Sequence, residues 1–298
     1  MKYCLLNGSV KEKLKELPSD FFSTCVTSPP YWRQRNYDVE GQIGLEETPD
    51  EYAKIIVEYF RELKRVLKDD GTLWLNIGDS YASAPTGGIS KKKSKWGFGR
   101  THKTMQNALK RPSKQVKGID DKNLLGIPWR VALGLQRDGW ILRQDIIWQK
   151  TNPMTESVKD RCTSAHEYIF LFSLKPKYQY NKDAIAEDIY DKNNEIHKKN
   201  KRSVWKCGIN SYKTEHIATY PIKLIEPCIL AGSSKDEWVI DPFSGSGTTG
   251  VASLINNRNY CGIELKEDYV KESLKRLNQI EPLFTEKIDI DKLKEIKE

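Results

Sequence analysis

A glycine-rich turn late in the chain, DPFSGSGTTG at Asp241–Gly250, constrains the fold more than any other part of the sequence. It follows a short apolar run, Trp238–Ile240, and opens an apolar segment that continues to Ile255. This order predicts a buried strand, a tight turn and a helix, the arrangement found in nucleoside-binding α/β units. A further apolar run ends in Glu264, whose carboxylate could accept hydrogen bonds from ribose hydroxyls. The G-x-G-x-x-G positions are occupied by Gly245, Gly247 and Gly250.

The position of this turn creates a topological difficulty. A nucleotide-binding half-sheet needs three parallel strands, yet only 34 residues follow Glu264, and DYVKESLKRLNQI within them has helical periodicity. The third strand must come from elsewhere, and the apolar run Tyr3–Leu6 at the start of the sequence is available. We predict an α/β protein with a circularly permuted Rossmann-like fold, whose nucleoside site is assembled from both ends of the sequence.

Two cofactor classes fit a turn of this kind. A dinucleotide would place its pyrophosphate on the helix N-terminus, whereas S-adenosylmethionine has no phosphate and carries a sulfonium cation. A carboxylate at the strand end, Asp241, would stabilise a cation and repel a pyrophosphate. The sequence therefore favours S-adenosylmethionine, and an NAD-dependent oxidoreductase is the more remote alternative.

A second motif, TSPPYW at Thr27–Trp32, directly follows the apolar run Phe21–Val26. Two consecutive prolines end a strand, because neither can donate to the ladder and each fixes its own φ. The result is a rigid corner at the mouth of a buried strand, with exposed carbonyls, a hydroxyl and large aromatic rings. Such a corner suits a flat ligand that forms hydrogen bonds, and a nucleobase is a ligand of that kind.

We predict a single domain over residues 1–298. The segment between the two motifs indicates that its sheet is mixed. Thr48-Pro49-Asp50-Glu51 combines an N-cap, a proline at the first helical position and a capping-box glutamate, so a helix begins there and should end at Gly71. The strand Thr72–Asp79 follows, which makes a βαβ unit and predicts parallel pairing. ILRQDIIWQK and EYIFLFSL are separated by a loop too short for a crossover helix, so they should form an antiparallel hairpin at one edge.

The basic charge of the protein is concentrated in one segment. The net charge is +8, and residues 84–123 contain nine Lys and two Arg against two Asp. The segment lacks apolar periodicity, and we interpret it as a basic, mobile loop insertion whose Lys91, Lys92 and Lys93 contact the phosphates of a polyanionic partner. A solvated loop without a function is the alternative. Residues 178–215 are polar and irregular in pattern.

Composition also bears on the compartment and on bound groups. No run of 18 or more apolar residues occurs, and the sequence becomes polar soon after its start, so we expect a cytoplasmic protein without a membrane segment. The six cysteines are scattered and include no C-x-x-C pair, which argues against a disulfide framework and against a zinc site. We expect no bound metal.

The two motifs, in this order, resemble the β-class amino-methyltransferases of DNA, in which the catalytic motif precedes the motif that binds the methyl donor. EYFRELKRVLKDDG, GTLWLNIGD and HIATYPIKLIEPCI also resemble family blocks in family order, so the resemblance covers nearly the whole sequence. It implies S-adenosylmethionine as the methyl donor and double-stranded DNA as the substrate. The residues that match the catalytic tetrad are Ser28, Pro29, Pro30 and Tyr31. Those at the donor-binding positions are Asp241, Phe243, Gly245, Gly247, Thr248 and Glu264, with Asn7 where many relatives have a Gly-Asp pair.

The resemblance implies that the methyl group passes directly from the donor to an exocyclic amine held by the tetrad. The lone pair of an exocyclic amine is delocalised into the base ring, and two acceptors, the Ser28 hydroxyl and the Pro29 carbonyl, would localise it towards the methyl group. The target atom is unreachable inside a duplex, so the base must flip out, and Tyr31 would stack on it. The candidate DNA contacts are Lys91, Lys92 and Lys93 of the basic segment, Arg33 and Arg35, for phosphates, and Lys150 and Asn152, in a block that lines the base pocket. Residues 178–215 form the candidate target-recognition region.

Ser28 also bears on the product. The cytosine-N4 enzymes of the family usually carry Ser at the first tetrad position, whereas the adenine-N6 enzymes usually carry Asp or Asn. We therefore predict a site-specific cytosine-N4 DNA methyltransferase of a restriction-modification system, with adenine-N6 methylation as the alternative. C5-cytosine chemistry would need a nucleophilic cysteine after a proline, but Cys228 lies in a helical pattern before the glycine-rich turn, and we predict that it packs in the core. A second copy of the chain and a cognate restriction endonuclease are candidate partners.

Overall fold

The computed structural model describes residues 1–83, 113–192, 194–209, 220–280 and 285–297. In this part of the chain, no helix is both long enough and apolar enough to span a bilayer. The helices are α1 (Val10–Glu16), α2 (Pro49–Val66), α3 (Ile127–Arg137), α4 (Ile222–Gly232), α5 (Thr248–Ile255), α6 (Glu267–Leu277) and α7 (Ile290–Glu295). The strands are β1 (Lys2–Asn7), β2 (Phe22–Thr27), β3 (Leu67–Ile77), β4 (Ile141–Lys150), β5 (His166–Ser173), β6 (Glu187–Tyr190), β7 (Ile196–Lys199), β8 (Val204–Cys207), β9 (Trp238–Asp241), β10 (Asn259–Glu264) and β11 (Glu286–Lys287).

Nine of these strands form one sheet in the order β11-β1-β10-β9-β2-β3-β5-β4-β8. β1 pairs in parallel with β10, so that Tyr3 stands opposite Tyr260 and Asn7 opposite Glu264. β10 in turn pairs in parallel with β9. The first strand of the sequence thus completes the half-sheet that the last third begins, which confirms the predicted circular permutation.

The neighbouring strands β9 and β2 bring the two motifs together. They pair in parallel, with Cys25 opposite Ile240, and β2 also pairs in parallel with β3 on its other side. The carboxyl ends of parallel strands meet at the same edge of a sheet. The corner after Thr27 and the turn that begins at Asp241 therefore lie side by side at that edge.

Helices cover both faces of the sheet. Cys25 and Leu73 belong to a hydrophobic cluster that includes the buried residues of α1, α2 and α3. Val26 and Trp74, the next residue of each strand, belong to a second cluster with α4 and with Ala252 of α5. Successive side chains of a strand point to opposite faces, so the described residues form a three-layer α/β arrangement.

The strands β4 and β5 form the predicted antiparallel pair, and β5 also pairs antiparallel with β3. The sheet is therefore mixed, as the sequence predicts. One further strand, β8, pairs in parallel with β4 on its outer side. The hairpin thus lies one strand inside the edge, and the edge itself comes from a segment that the sequence pattern did not identify as a strand.

The boundary between α2 and β3 differs from the sequence prediction. α2 ends at Val66 rather than at Gly71, and β3 begins at Leu67 rather than at Thr72. Leu67 is buried and pairs with Phe22 of β2. Local helical periodicity continues past this point, but burial of Leu67 against the neighbouring strand decides the conformation, and this tertiary effect is absent from the pattern.

Residues 178–215 are more regular than the sequence predicts. A short 3₁₀ turn covers Asp183–Ile185, and β6 and β7 form an antiparallel two-stranded ribbon outside the main sheet, with Glu187 opposite Lys199. These strands are short and largely exposed, so they lack the apolar alternation by which a strand is recognised. Residues 193 and 210–215 of the segment lie outside the described residues.

The end of the predicted basic loop packs against the domain. Val116 is buried, and Lys114 forms a β-bridge with Ser83. Residues 113–123 are therefore part of the packed structure. The loop predicted over residues 84–123 is shorter at its C-terminal end. Residues 84–112 lie outside the described residues.

Candidate active site

A cavity of about 360 Å³ opens at the carboxyl edge of the sheet, between the corner after β2 and the turn after β9. All four residues of the predicted tetrad line it: Ser28, Pro29, Pro30 and Tyr31. Of the predicted donor-binding residues, those in its wall are Phe243, Gly245 and Glu264. Of the predicted DNA contacts, those in its wall are Arg35 and Lys150. One space therefore joins the two motifs that the sequence separates.

The corner is held rigidly by bonds to the elements behind it. The hydroxyl of Tyr52, in α2, donates to the Pro30 carbonyl at 2.9 Å. Trp32 is buried, and its indole nitrogen donates to the Glu46 carbonyl at 3.1 Å. Among the described residues, by contrast, nothing donates to the carbonyl of Pro29. This oxygen, at the cavity wall, remains available as an acceptor.

A hydrogen-bond network surrounds the hydroxyl of Tyr31. This hydroxyl lies 2.7 Å from Oε2 of Glu167 and 3.1 Å from Oδ1 of Asn76, and it accepts a hydrogen bond from the Ser28 hydroxyl at 3.4 Å. The other carboxylate oxygen of Glu167 is paired with Lys150. Burial, together with the negative charge of Glu167, raises the pKa of Tyr31 well above its ordinary value.

Glu167 and Asn76 are site residues that the sequence analysis missed. Both line the cavity, and both lie within strands that otherwise appear as apolar runs. The available signal was the polar side chain itself, because a carboxylate or an amide inside a buried strand needs partners. The pattern could not show that these partners are Tyr31 and Lys150.

Asp241 is buried behind the cavity wall and binds other protein groups. Its carboxylate accepts hydrogen bonds from the hydroxyls of Thr27 and Thr249, both at 2.6 Å, from the main-chain nitrogen of Phe243 at 3.0 Å and from the Tyr220 hydroxyl at 3.2 Å. Burial raises the pKa of Asp241, against the opposing effect of these hydrogen bonds. The carboxylate thus clamps the end of β2 to the start of α5. Its predicted stabilisation of a bound cation stays a prediction.

The glycine-rich turn is tied to Glu264 at the end of β10. The main-chain nitrogen of Gly245, a residue with φ of +53°, donates to Oε2 of Glu264 at 2.8 Å, and the main-chain nitrogen of Lys266 donates to Oε1 at 2.8 Å. Burial raises the pKa of Glu264. Gly247 has φ of +77°, and a Cβ there would lie 2.7 Å from Oγ of Ser273. Gly245 lines the cavity. At Gly247, the close packing of α6 leaves no room for a side chain.

Two other predicted donor-binding residues support the cavity from outside its wall. The amide nitrogen of Asn7 donates to the carbonyls of Glu264 at 2.9 Å and Leu265 at 3.1 Å. The hydroxyl of Thr248 accepts a hydrogen bond from Arg276 at 3.1 Å. A direct contact of either side chain with a bound donor stays a prediction.

The predicted DNA contacts divide into two groups. Arg33 donates to the carbonyls of Glu46 at 3.0 Å and Ser113 at 2.8 Å, and Asn152 exchanges hydrogen bonds with the main chain of Ile209 at 2.6 and 3.2 Å. These two side chains hold loops together. Arg35 and Lys150 instead face the cavity. Lys91, Lys92 and Lys93 lie outside the described residues, so their contacts stay predictions.

Aromatic side chains that the sequence analysis did not select also form the cavity. Tyr37 and Tyr269 line it and pack edge to face, with ring centroids 6.1 Å apart. Burial is the main cause that raises the pKa of Tyr269 to about 12. Tyr220, which binds Asp241, lines the cavity as well. Cys228 is fully buried in α4, as predicted, and burial raises the pKa of its thiol, so it is unsuited to act as a nucleophile.

Comparisons with known proteins agree with this arrangement. The type II methyltransferase M.SmaI from Serratia marcescens is 44% identical over 273 residues, which cover 92% of this chain and 90% of the relative. The type II methyltransferase M.Cfr9I from Citrobacter freundii is 42% identical, with 92% and 87% covered. Among solved structures, the PvuII DNA methyltransferase (cytosine-N4-specific) superposes with a TM-score of 0.67 at 19% identity, covering 99% of this chain and 92% of that one. The M1.HpyAVI–SAM complex superposes with a TM-score of 0.55 at 20% identity, covering 93% and 99%. Residues 22–275 match the N6/N4 methyltransferase family of DNA methylases, and the chain belongs to that family.

Proposed function

We propose that this protein transfers a methyl group from S-adenosylmethionine to the N4 amine of cytosine in double-stranded DNA, as the methyltransferase of a restriction-modification system. The observation that carries the proposal is that the tetrad and the glycine-rich turn line the same cavity. Methyl transfer requires donor and acceptor to be aligned in one space from which water is largely excluded. The cavity offers separate surfaces for each of them.

The donor side has the groups that an adenosyl moiety needs. S-adenosylmethionine supplies an electrophilic methyl group on a sulfonium centre. Each carboxylate oxygen of Glu264 accepts one main-chain hydrogen bond and keeps further acceptor capacity for ribose hydroxyls. Tyr37 and Tyr269 provide aromatic surfaces beside Glu264 for a flat purine ring. Gly245, with no side chain, lets the main chain approach the ligand.

The acceptor side fits an exocyclic amine. The hydroxyl of Ser28 and the carbonyl of Pro29 can each accept one of the amine hydrogens, which pyramidalises the nitrogen and directs its lone pair towards the donor. Such an amine is buried in a DNA duplex, so the base must flip into the cavity. The ring of Tyr31, in the same wall, offers a stacking surface worth about 1–3 kcal/mol per base.

Ser28 supports cytosine over adenine as the target. A neutral hydroxyl at the first tetrad position is the feature by which the cytosine-N4 enzymes of the family usually differ from the adenine-N6 enzymes. Expression in a host that lacks DNA modification, followed by mass spectrometry of the nucleosides, tests the product, and a Ser28→Ala variant in the same host is the control. We expect N4-methylcytosine. N6-methyladenine without N4-methylcytosine would overturn the choice of base and leave the methyltransferase activity standing.

We also propose that the β6–β7 ribbon contributes to target recognition. Every residue of β7 is exposed, and Tyr190 at the end of β6 is 64% exposed. A two-stranded ribbon fits the major groove, where base edges can be read. Replacing Tyr190 and Lys199 with Ala should reduce the preference for the target site over single-mismatch sites, measured by competition binding, while donor binding stays unchanged. An unchanged preference would contradict this role.

A further inference from the structure

Methylation of an exocyclic amine releases one proton, and we propose that Glu167 receives it through the hydroxyls of Ser28 and Tyr31. This inference rests on the proposed function, since it concerns the amine that the tetrad binds. Neither a serine hydroxyl nor an amide carbonyl can hold a proton at neutral pH. With Ser28 at the first tetrad position, the acceptor of that proton must therefore lie elsewhere.

The hydrogen bonds around Tyr31 have the direction that such a transfer needs. The Ser28 hydroxyl donates to the hydroxyl of Tyr31 at 3.4 Å, and Tyr31 donates to Oε2 of Glu167 at 2.7 Å. Both hydrogen bonds run from Ser28 towards the carboxylate. Tyr31 has a single hydroxyl hydrogen, and the shorter distance favours Glu167 over Asn76, which is 3.1 Å away.

Glu167 is suited to be the end of this path. Lys150 binds its other oxygen and so holds the carboxylate in place, with Oε2 at the Tyr31 hydroxyl. Asn76 also donates to Oε2 at 3.4 Å and to the Tyr168 carbonyl at 3.0 Å, which fixes the carboxylate relative to β3. The Glu167 side chain retains 16% of its exposure, so the proton can pass on to solvent after the reaction.

The transfer balances without a further reactant. The amine nitrogen forms a bond to the methyl carbon with its lone pair, and the carbon–sulfur bond breaks with its electron pair going to sulfur. The methylated nitrogen then loses one proton to the Ser28 oxygen, and the bonding pair stays on nitrogen. The Ser28 hydrogen moves to the Tyr31 oxygen and the Tyr31 hydrogen to Glu167, so both hydroxyls are restored and the carboxylate becomes neutral.

Two single substitutions interrupt this path at different points. Tyr31→Phe removes the hydroxyl and keeps the stacking ring, and Glu167→Gln keeps the shape of the acceptor and removes its basicity. Each should slow single-turnover methylation by about 10²-fold or more. Binding of S-adenosylmethionine and of DNA, measured by calorimetry and by anisotropy, should stay at the wild-type level. Tyr3→Phe, which removes a hydroxyl bonded to Asn278 at the amino end of β1, away from the cavity, is the matched control.

Two double variants separate a proton path from a purely structural role. Groups on one path give non-additive losses, so Tyr31→Phe with Glu167→Gln should be no slower than the slower single variant. Glu167→Gln with Lys150→Met removes both charges of the ion pair, and it should remain slow because the acceptor is still missing. Recovery of the rate in that variant would show that only the unpaired charge of Lys150 mattered, and would overturn the proposal. Multiplicative losses, or wild-type rates in either single variant, would also overturn it.

The products of the same reactions distinguish failure of this inference from failure of the proposed function. Wild-type protein that forms N4-methylcytosine, with variants equally fast, leaves the function standing and removes the proton path. Wild-type protein that forms only N6-methyladenine overturns the choice of cytosine, while slow variants still support the path, since adenine's amine also releases a proton. Wild-type protein that methylates neither base overturns both.

Discussion

Asn7 and Glu264 are 257 positions apart in the sequence, yet they stand opposite each other at the ends of the neighbouring strands β1 and β10. The Asn7 amide donates to the carbonyl of Glu264 at 2.9 Å, while the Glu264 carboxylate holds the glycine-rich turn through Gly245. The donor side of the cavity therefore depends on a strand from the beginning of the sequence. Its stability and its ligand affinity should respond together when these hydrogen bonds are changed.

Asp241→Ala should destabilise the fold in addition to weakening donor binding. The substitution leaves the buried Thr27 hydroxyl without its acceptor and removes the nearer of the two acceptors of the Thr249 hydroxyl, and we expect the free energy of unfolding to fall by about 2–4 kcal/mol. Chemical denaturation measures this change, and Asp121→Ala, at an exposed carboxylate, is the control. Equal stability of the two variants would contradict the structural role of Asp241.

Gly247→Ala should destabilise the protein more than Gly126→Ala. Both glycines have positive φ, +77° and +66°, so both substitutions carry a backbone penalty of about 1–2 kcal/mol. Only at Gly247 would the added Cβ also collide with Ser273, at 2.7 Å, whereas nothing lies within 4 Å at Gly126. The difference in unfolding free energy isolates the collision, at about 1–3 kcal/mol. A larger loss at Gly126 would argue against this packing.

The stability of the protein should fall in acid partly through Glu237. Burial alone would raise the pKa of Glu237, but hydrogen bonds from Lys68, Ser234 and Gln179 outweigh it and lower the pKa from 4.5 to about 2. A carboxylate with a lowered folded-state pKa stabilises the fold above its unfolded pKa, and this contribution is lost as the pH falls from 4.5 towards 2.

Glu237→Gln tests this pH dependence. The variant should lose about 1–2 kcal/mol at pH 7, after allowance for screening by solvent, and should show a weaker decline in stability below pH 4.5 than the wild type. Denaturation midpoints recorded across this range are the measurement. Parallel curves for the two proteins would exclude Glu237 as a source of the acid sensitivity.

Ser28→Ala should reduce turnover by about 10²-fold or more and leave binding of S-adenosylmethionine unchanged, because it removes an acceptor needed chiefly in the transition state. Single-turnover kinetics and calorimetry measure the two effects separately. Ser234→Ala, before β9 and so at the opposite edge of the sheet, is the matched control. Full activity of the Ser28 variant would remove the hydroxyl from the mechanism.

Neutralising the basic segment should weaken binding to all DNA sequences alike. If Lys91, Lys92 and Lys93 bind phosphates, replacing them with Gln should flatten the dependence of log K on log salt by about 0.9 for each phosphate that is no longer neutralised. Binding to specific and to unrelated duplexes, titrated at several salt concentrations, measures the slope. An unaltered slope would support a solvated segment without a role in DNA binding.

The sequence by itself determined the features that short stretches encode. The turn after β9 and the corner after β2 were predicted because glycine, proline and capping residues act on their own main chain. The capping box at Thr48 is present in the structure as predicted. The circular permutation also followed from the sequence, since too few residues remained after Glu264 to complete a half-sheet.

Only the tertiary structure decided which side chains meet. Tyr31 and Glu167 are 136 positions apart, and Thr27 and Asp241 are 214 apart, so no local pattern pairs them. The same holds for the start of β3 at Leu67, where pairing with Phe22 overrides helical periodicity. Side-chain partners depend on strand order and register, which arise from burial summed over the whole sheet. This is why the sequence indicated the chemistry of the tetrad and the turn, while the structure alone revealed the carboxylate beside them.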